Sequence, residues 1–242
     1  EEEEGVTVGL ESQRWAAEVV GMEPFAGFEQ LSFKFVNTDY THTEFEGDEV
    51  GTVFDSDSDD IRLELRHRPL GRWSGAFGFQ YTDVDFDAVG EEAYVPRSNS
   101  ETGALFLVES ADFGDWQLDL GLRYENVDVT ALELLSHHHH DEEGHEEEHE
   151  EEHEEGPVRR SFKPLSVSAG AIWNLTDESN LSFNVARAER APTTAELFAY
   201  GPHIASQTFE IGDEMLREET NLHGEIAYRM TGERLSGSLV VY

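Results

Sequence analysis

The residues best equipped for chemistry lie between Ser136 and Gly156, where His137, His138, His139 and His140 run together and His145, His149 and His153 follow at intervals of four, separated by acids. Seven imidazoles among eleven carboxylates make a donor set for borderline divalent ions, zinc first and then nickel and copper. The histidine content argues against a purely calcium or magnesium site. In a helical conformation His145, His149 and His153 would share one face at i, i+4, a spacing that lets two imidazoles hold one ion. The same composition cannot build an apolar core, so residues 133–158 are expected to form a flexible capture loop of low selectivity, because a mobile repeat imposes little coordination geometry. A merely solvated acidic surface is the alternative. His203 differs in kind: it is a single imidazole between Pro202 and Ile204 in a loop, where carboxylates such as Glu91 and Glu92 could complete a defined metal site. Here the alternative is a surface histidine satisfied by a hydrogen bond. His42, His67 and His223 stand singly and read as structural. No organic cofactor is implied.

Acids outnumber bases by 53 to 16, giving a formal charge of -37 over 242 residues. Such a field repels nucleic acid and attracts cations, so metal ions are natural partners and DNA or RNA is not. There is no cysteine, hence no disulfide framework, thiolate metal site or cysteine nucleophile. No stretch approaches the roughly 20 apolar residues of a membrane helix, so a chain that crosses a membrane must do so with strands. Glu1 to Glu4 lack the basic and apolar regions of a signal peptide. No Ser/His/Asp order, phosphate loop or framed carboxylate pair points to an enzyme.

The elements that would position these histidines are strands of period two. Trp116, Leu118, Leu120, Leu122 and Tyr124 alternate with Gln117, Asp119, Gly121, Arg123 and Glu125, one side greasy and the other wet. The same alternation recurs through Leu31 to Phe35, Ile61 to Arg66, Trp73 to Thr82, Leu165 to Trp173, Leu181 to Val185 and Leu222 to Arg229, among others, to give about ten strands and no long helix. Their connections alternate in length. Short turns fall near Pro24 to Gly27, Pro69 to Arg72, Phe113 to Asp115, Thr176 to Asn180 and Thr231 to Arg234, and long loops near Thr41 to Ser58, Asp85 to Ser100, Leu132 to Arg160 and Ala191 to Arg217. A meander with its tight turns at one end and its long loops at the other is the pattern of an all-β, antiparallel, up-and-down transmembrane β-barrel.

Aromatic spacing gives a separate test. Trp73 and Tyr81 lie eight residues apart on one face, as do Trp116 and Tyr124; at about 3.3 Å per residue and a tilt of about 40° each pair spans roughly 20 Å along the membrane normal, close to the apolar band between aromatic girdles. The alternative is a soluble sandwich or lipocalin-like barrel, for which the leucines would share a concave core. Ten strands do not close around the lumen that loops this long accompany, so the expectation is a partial barrel belonging to a larger one, spanning residues 1–242.

Ala188-Glu189-Arg190-Ala191-Pro192-Thr193-Thr194-Ala195-Glu196-Leu197-Phe198, followed by Gly201-Pro202-His203-Ile204-Ala205 and Thr208-Phe209-Glu210-Ile211-Gly212-Asp213, resembles the Arg-Ala-Pro to Asn-Pro-x-Leu region of TonB-dependent outer-membrane receptors. The Gly-Pro-His-Ile-Ala segment is similar to the zinc-uptake branch, as are Thr38 to Glu44, Asp85 to Ala93 and the internal His/Asp/Glu-rich loop. Gly212 to Leu216 stands where the family has Asn-Pro-x-Leu. The resemblance covers barrel alone, without a plug domain or TonB box. It implies an outer-membrane receptor that takes up zinc, contacts outer-membrane lipid, and is driven by the TonB complex through a plug. Receptors for haem or a metal chelate, and a non-transport acidic metal-binding protein, are the competing readings.

Overall fold

The computed structural model describes residues 6–47, 49–90, 93–134, 156–203 and 208–242. Its strands are β1 (Val6–Met22), β2 (Phe28–Glu46), β3 (Glu49–His67), β4 (Trp73–Gly90), β5 (Ser98–Asp112), β6 (Trp116–Ala131), β7 (Val158–Phe162), β8 (Leu165–Thr176), β9 (Ser179–Arg190), β10 (Tyr200–His203), β11 (Thr208–Ile211), β12 (Glu219–Thr231) and β13 (Ser236–Val241), with one short helix, α1 (Thr194–Phe198). A single antiparallel sheet runs in the order β1-β2-β3-β4-β5-β6-β8-β9-β12-β13, and β7 extends the partner of β6 upward. β7 and β8 continue one register, Phe162 opposite Val127 and Leu165 opposite Tyr124; Pro164 interrupts the ladder because it has no N–H to donate, and its carbonyl accepts from Glu125 N at 3.0 Å. β10 and β11 form a separate hairpin.

Register assigns the faces. Tyr124, Leu122, Leu120, Leu118 and Trp116 stand opposite Leu165, Val167, Ala169, Ala171 and Trp173, and Leu105 and Leu107 of β5 share that face, as do Ile61, Leu63 and Leu65 opposite Tyr81, Phe79 and Phe77. Many of these large apolar side chains are exposed, which only lipid tolerates on such a scale. Trp116 and Trp173 stack at 5.0 Å beside the tight turns, as a girdle at the periplasmic interface would. The opposite face is wet. Gln80 donates to Asp60 at 2.8 Å, Arg123 to Glu125 at 2.9 Å and Arg62 to Glu64 at 2.9 Å, a lining suited to a lumen.

Two of the four expected long loops are largely strand. β2 runs to Glu46 and β3 starts at Glu49, so Thr41 to Ser58 is a tall hairpin; β4 runs to Gly90 and β5 starts at Ser98, which shortens the Asp85 to Ser100 connection. The alternation there is built from polar residues, outward Asp55, Asp57 and Asp59 facing Asp87, Asp85 and Asp83, and a polar period carries no hydrophobic signal. Above the lipid the outer face meets water, so it needs no apolar side chains.

The main buried cluster lies near the top of the inner face: Val127, Val129, Ala131 and Phe162 of the wall pack against Leu197 and Phe198 of α1. The segment after β9 thus folds back into the mouth.

Candidate functional site at the barrel mouth

The mouth segment is fastened at its root. Thr193 caps α1 and closes a capping box with Glu196, which satisfies the orphan amides of the first turn. Arg190 grips Glu196 through two parallel bonds of 2.8 Å each and also pairs with Glu219 at 2.5 Å. With that guanidinium first, and the Thr193 amide second, the Glu196 carboxyl is held down at about 2. Beyond the helix, Gly212 N donates to Ala199 O at 2.7 Å and Asp213 N to Glu196 O at 2.9 Å. A Cβ at Gly212 would stand 2.5 Å from Phe198 N, so the return strand passes this close only because the residue is glycine.

That frame presents the β10–β11 hairpin and with it His203. Its ring stacks on Tyr94 with centroids 4.7 Å apart and planes 21° from parallel, and its Nδ1 lies 3.7 Å from Glu210 Oε1 on the facing strand. Thr208 Oγ1 donates to the same carboxylate oxygen at 2.7 Å, fixing its direction. Tyr94 is held in turn: its carbonyl accepts from Tyr200 N at 2.7 Å, and a Cβ on Gly201 would come within 2.9 Å of its own Cβ. Burial, then the charges of Glu210 and Glu44, push the Tyr94 phenol upward. Tyr94 also lines a cavity of about 590 Å³ beneath α1, with Phe86, Ser100, Val127, Glu125 and Thr194 among its walls.

On the inner face of β2, His42 lies flat against Phe54, 4.4 Å between centroids and 16° from parallel, with Nε2 3.7 Å from Glu44 Oε1. Phe54 and Phe86 continue this aromatic row at 6.4 Å toward the cavity.

Of the candidate metal ligands read from sequence, His203 is placed in the mouth, at the end of strand β10 where the sequence suggests a loop. Glu91, Glu92, His137, His138, His139, His140, His145, His149 and His153 lie outside the described residues. Among the described residues no three His, Cys, Asp or Glu gather to hold a metal; there are imidazole–carboxylate pairs instead. Glu210, Glu44 and Tyr94 did not emerge from sequence, and His42 read as structural. The signal that could have found Glu44 is the inward alternation Tyr40, His42, Glu44; Glu210 depends on a hairpin register that no periodicity announces.

The TonB-dependent receptor-like β-barrel family model matches residues 8–242. Among solved structures, the copper transporter OprC aligns with a TM-score of 0.72 at 13% identity, covering 96% of this chain and 37% of that one. The hemophore receptor HasR of Serratia marcescens, solved with its hemophore HasA and heme, aligns with a TM-score of 0.66 at 13% identity over 95% of this chain and 38% of that one. The FrpB iron transporter of Neisseria meningitidis (F3-3 variant) aligns at 0.60 and 13% identity over 92% of this chain and 34% of that one. The chain therefore spans little more than a third of the length of these proteins, and at such identities the likeness is one of fold. A lipid-facing apolar belt, a polar inner wall, tight turns at one end and a family model matching nearly the whole length agree: the chain belongs to the TonB-dependent receptor β-barrel family of outer-membrane proteins.

Proposed function

We propose that this barrel wall belongs to a receptor that captures a divalent metal ion of the zinc class and imports it with energy from the TonB complex, delivered through a plug. The observation that carries this reading is the His203–Glu210 pair: an imidazole clamped on an aromatic ring, at the mouth of a lumen, beside a carboxylate already oriented by Thr208. Nitrogen and oxygen donors without thiolate suit zinc, nickel or copper(II). The net charge of -37 concentrates cations around the mouth before any is bound. In this reading the histidines from His137 to His153 collect ions at modest affinity, and His203 holds one ion more tightly, with Glu91 and Glu92 as further candidate ligands.

Zinc calorimetry on the full-length receptor tests this. Deleting residues 136–156 should remove most of the bound metal while leaving one tight site, and His203→Ala should abolish the tight site while sparing most of the total. If His203→Ala leaves tight binding intact, the assignment is wrong. A second reading, a metal chelate or haem as cargo, draws on the cavity adjoining Tyr94; a Soret band on adding haem, or competition by a chelate but not by free zinc, would favour it.

A further inference from the structure

We infer that His42 and Glu44 form a second divalent-metal station on the inner wall, separate from His203–Glu210 and built on the same plan. The inference rests on the reading of His203 as a metal ligand. Three features are shared by the two places. Each imidazole lies nearly parallel to an aromatic ring of a neighbouring segment, Phe54 at 4.4 Å for His42 and Tyr94 at 4.7 Å for His203, which fixes the ring plane. Each has a ring nitrogen 3.7 Å from a glutamate oxygen. That distance is too long for a hydrogen bond, so neither carboxylate serves merely to orient its imidazole. It is close to the separation of two donors around tetrahedral zinc, about 3.4 Å for bonds of about 2.0–2.2 Å. Finally, among the described residues neither Glu44 nor Glu210 pairs with a lysine or arginine, whereas the inner-wall Glu64 and Glu125 are paired with Arg62 and Arg123. Neither carboxylate is thus neutralised by a neighbouring base.

The stations share a boundary. Tyr94 stacks on one, and Phe86, beside it in the cavity, continues through Phe54 to His42 at the other. With two protein donors and the rest of its coordination left to water, the His42 station holds an ion more loosely than the His203 site. Several sites in series, each able to release its ion, are what passage through a pore requires. The ion would pass from hairpin to wall across Tyr94.

The test counts ions. The full-length receptor lacking residues 136–156, which removes the histidine-rich background, is dialysed to equilibrium against Zn²⁺ and its bound metal measured, beside His42→Gln/Glu44→Gln, His203→Gln/Glu210→Gln and the combination. Folding of each is checked by heat-modifiable gel migration, and Glu44→Gln alone, nearly isosteric, stands in should the double variant misfold. Two ions in the parent, one in each double variant and in Glu44→Gln, and none in the combination is the expected result. One ion in the parent, lost with His203→Gln/Glu210→Gln and kept with His42→Gln/Glu44→Gln, would overturn the second station and leave the proposed function standing. Metal binding indifferent to His203 and Glu210 would overturn that function itself. Loss of both ions in either variant would overturn the separation in favour of one shared site.

Discussion

Along β6 the outward side chains run Leu118, Leu120, Leu122, Tyr124 and then Asn126, Asp128, Thr130, while the inward ones run Asp119, Gly121, Arg123, Glu125 and then Val127, Val129, Ala131. The pleat keeps its phase, yet halfway up the chemistry changes sides. β4 does the same, outward Phe77, Phe79, Tyr81 giving way to Asp83, Asp85, Asp87, and inward Gln80 and Thr82 to Val84 and Phe86. The lower wall has lipid outside and a wet lumen inside; the upper wall has water outside and a folded loop inside. Each half is amphipathic for its own surroundings, so polarity in a strand reports what it faces and not whether it is a strand.

The largest effect should come from the upper interior. Leu197→Ala empties a fully buried position in the cluster that seats α1 and should cost about 2–5 kcal/mol locally, seen as faster amide exchange over residues 191–218 with the strands below unchanged. Uniform exchange throughout would mean that the halves are not independent. Next comes the lower exterior: Leu120→Arg should cost about 2–4 kcal/mol in urea-driven refolding into vesicles if it lies near the bilayer midplane, whereas Asp57→Arg, on the same face of the upper wall, should cost nothing. Equal penalties would place both in one environment.

A smaller effect is expected from acid. Because the Glu196 carboxyl is held at about 2, below its ordinary 4.5, its bond to Arg190 stabilises the mouth fully above pH 4.5 and loses that contribution as pH falls through about 2. A nitroxide on Glu214→Cys should therefore gain mobility across that window, and Glu196→Gln should remove the transition; both partners are about half exposed, so the amplitude should be modest. The smallest change is Asp57→Asn. It relieves repulsion from Asp39 and Asp85 and should stabilise by roughly 0.2–1 kcal/mol, an increment that shrinks in high salt; a gain that persists in high salt would discount the electrostatic cause.

What was legible in the sequence follows the same division. Trp73 to Thr82 and Trp116 to Glu125 declared themselves because lipid requires apolar side chains at every second position, and the turns at Pro69 to Arg72 and Phe113 to Asp115 fall where expected. The upper strands were hidden because water makes no such demand on Asp55, Asp57 and Asp59. His203 stood out through its neighbours Pro202 and Ile204. Its partners did not, since Tyr94 approaches from a loop more than a hundred positions away and Glu210 through the hairpin fold-back. His42 reads as a lone histidine in the sequence because its companions Glu44 and Phe54 are brought beside it only by the strand pleat and the β2–β3 register.

The height of the β2–β3 hairpin fixes which electric field an arriving ion experiences. His42 pairs with Phe54, five positions above Asp59, where the outer face turns polar; at about 3.3 Å per residue and a tilt of about 40° this lies roughly 13 Å above the apolar belt. Lipid headgroups occupy about the first half of that rise, and what remains approaches one Debye length of about 8 Å in physiological salt. The membrane's own surface potential is thus cut to roughly half at the level of His42, and the barrel's carboxylates add their own field to what remains. The protein carries its own ionic atmosphere above the bilayer, so that changes in lipid headgroup charge should reach the mouth at roughly half strength.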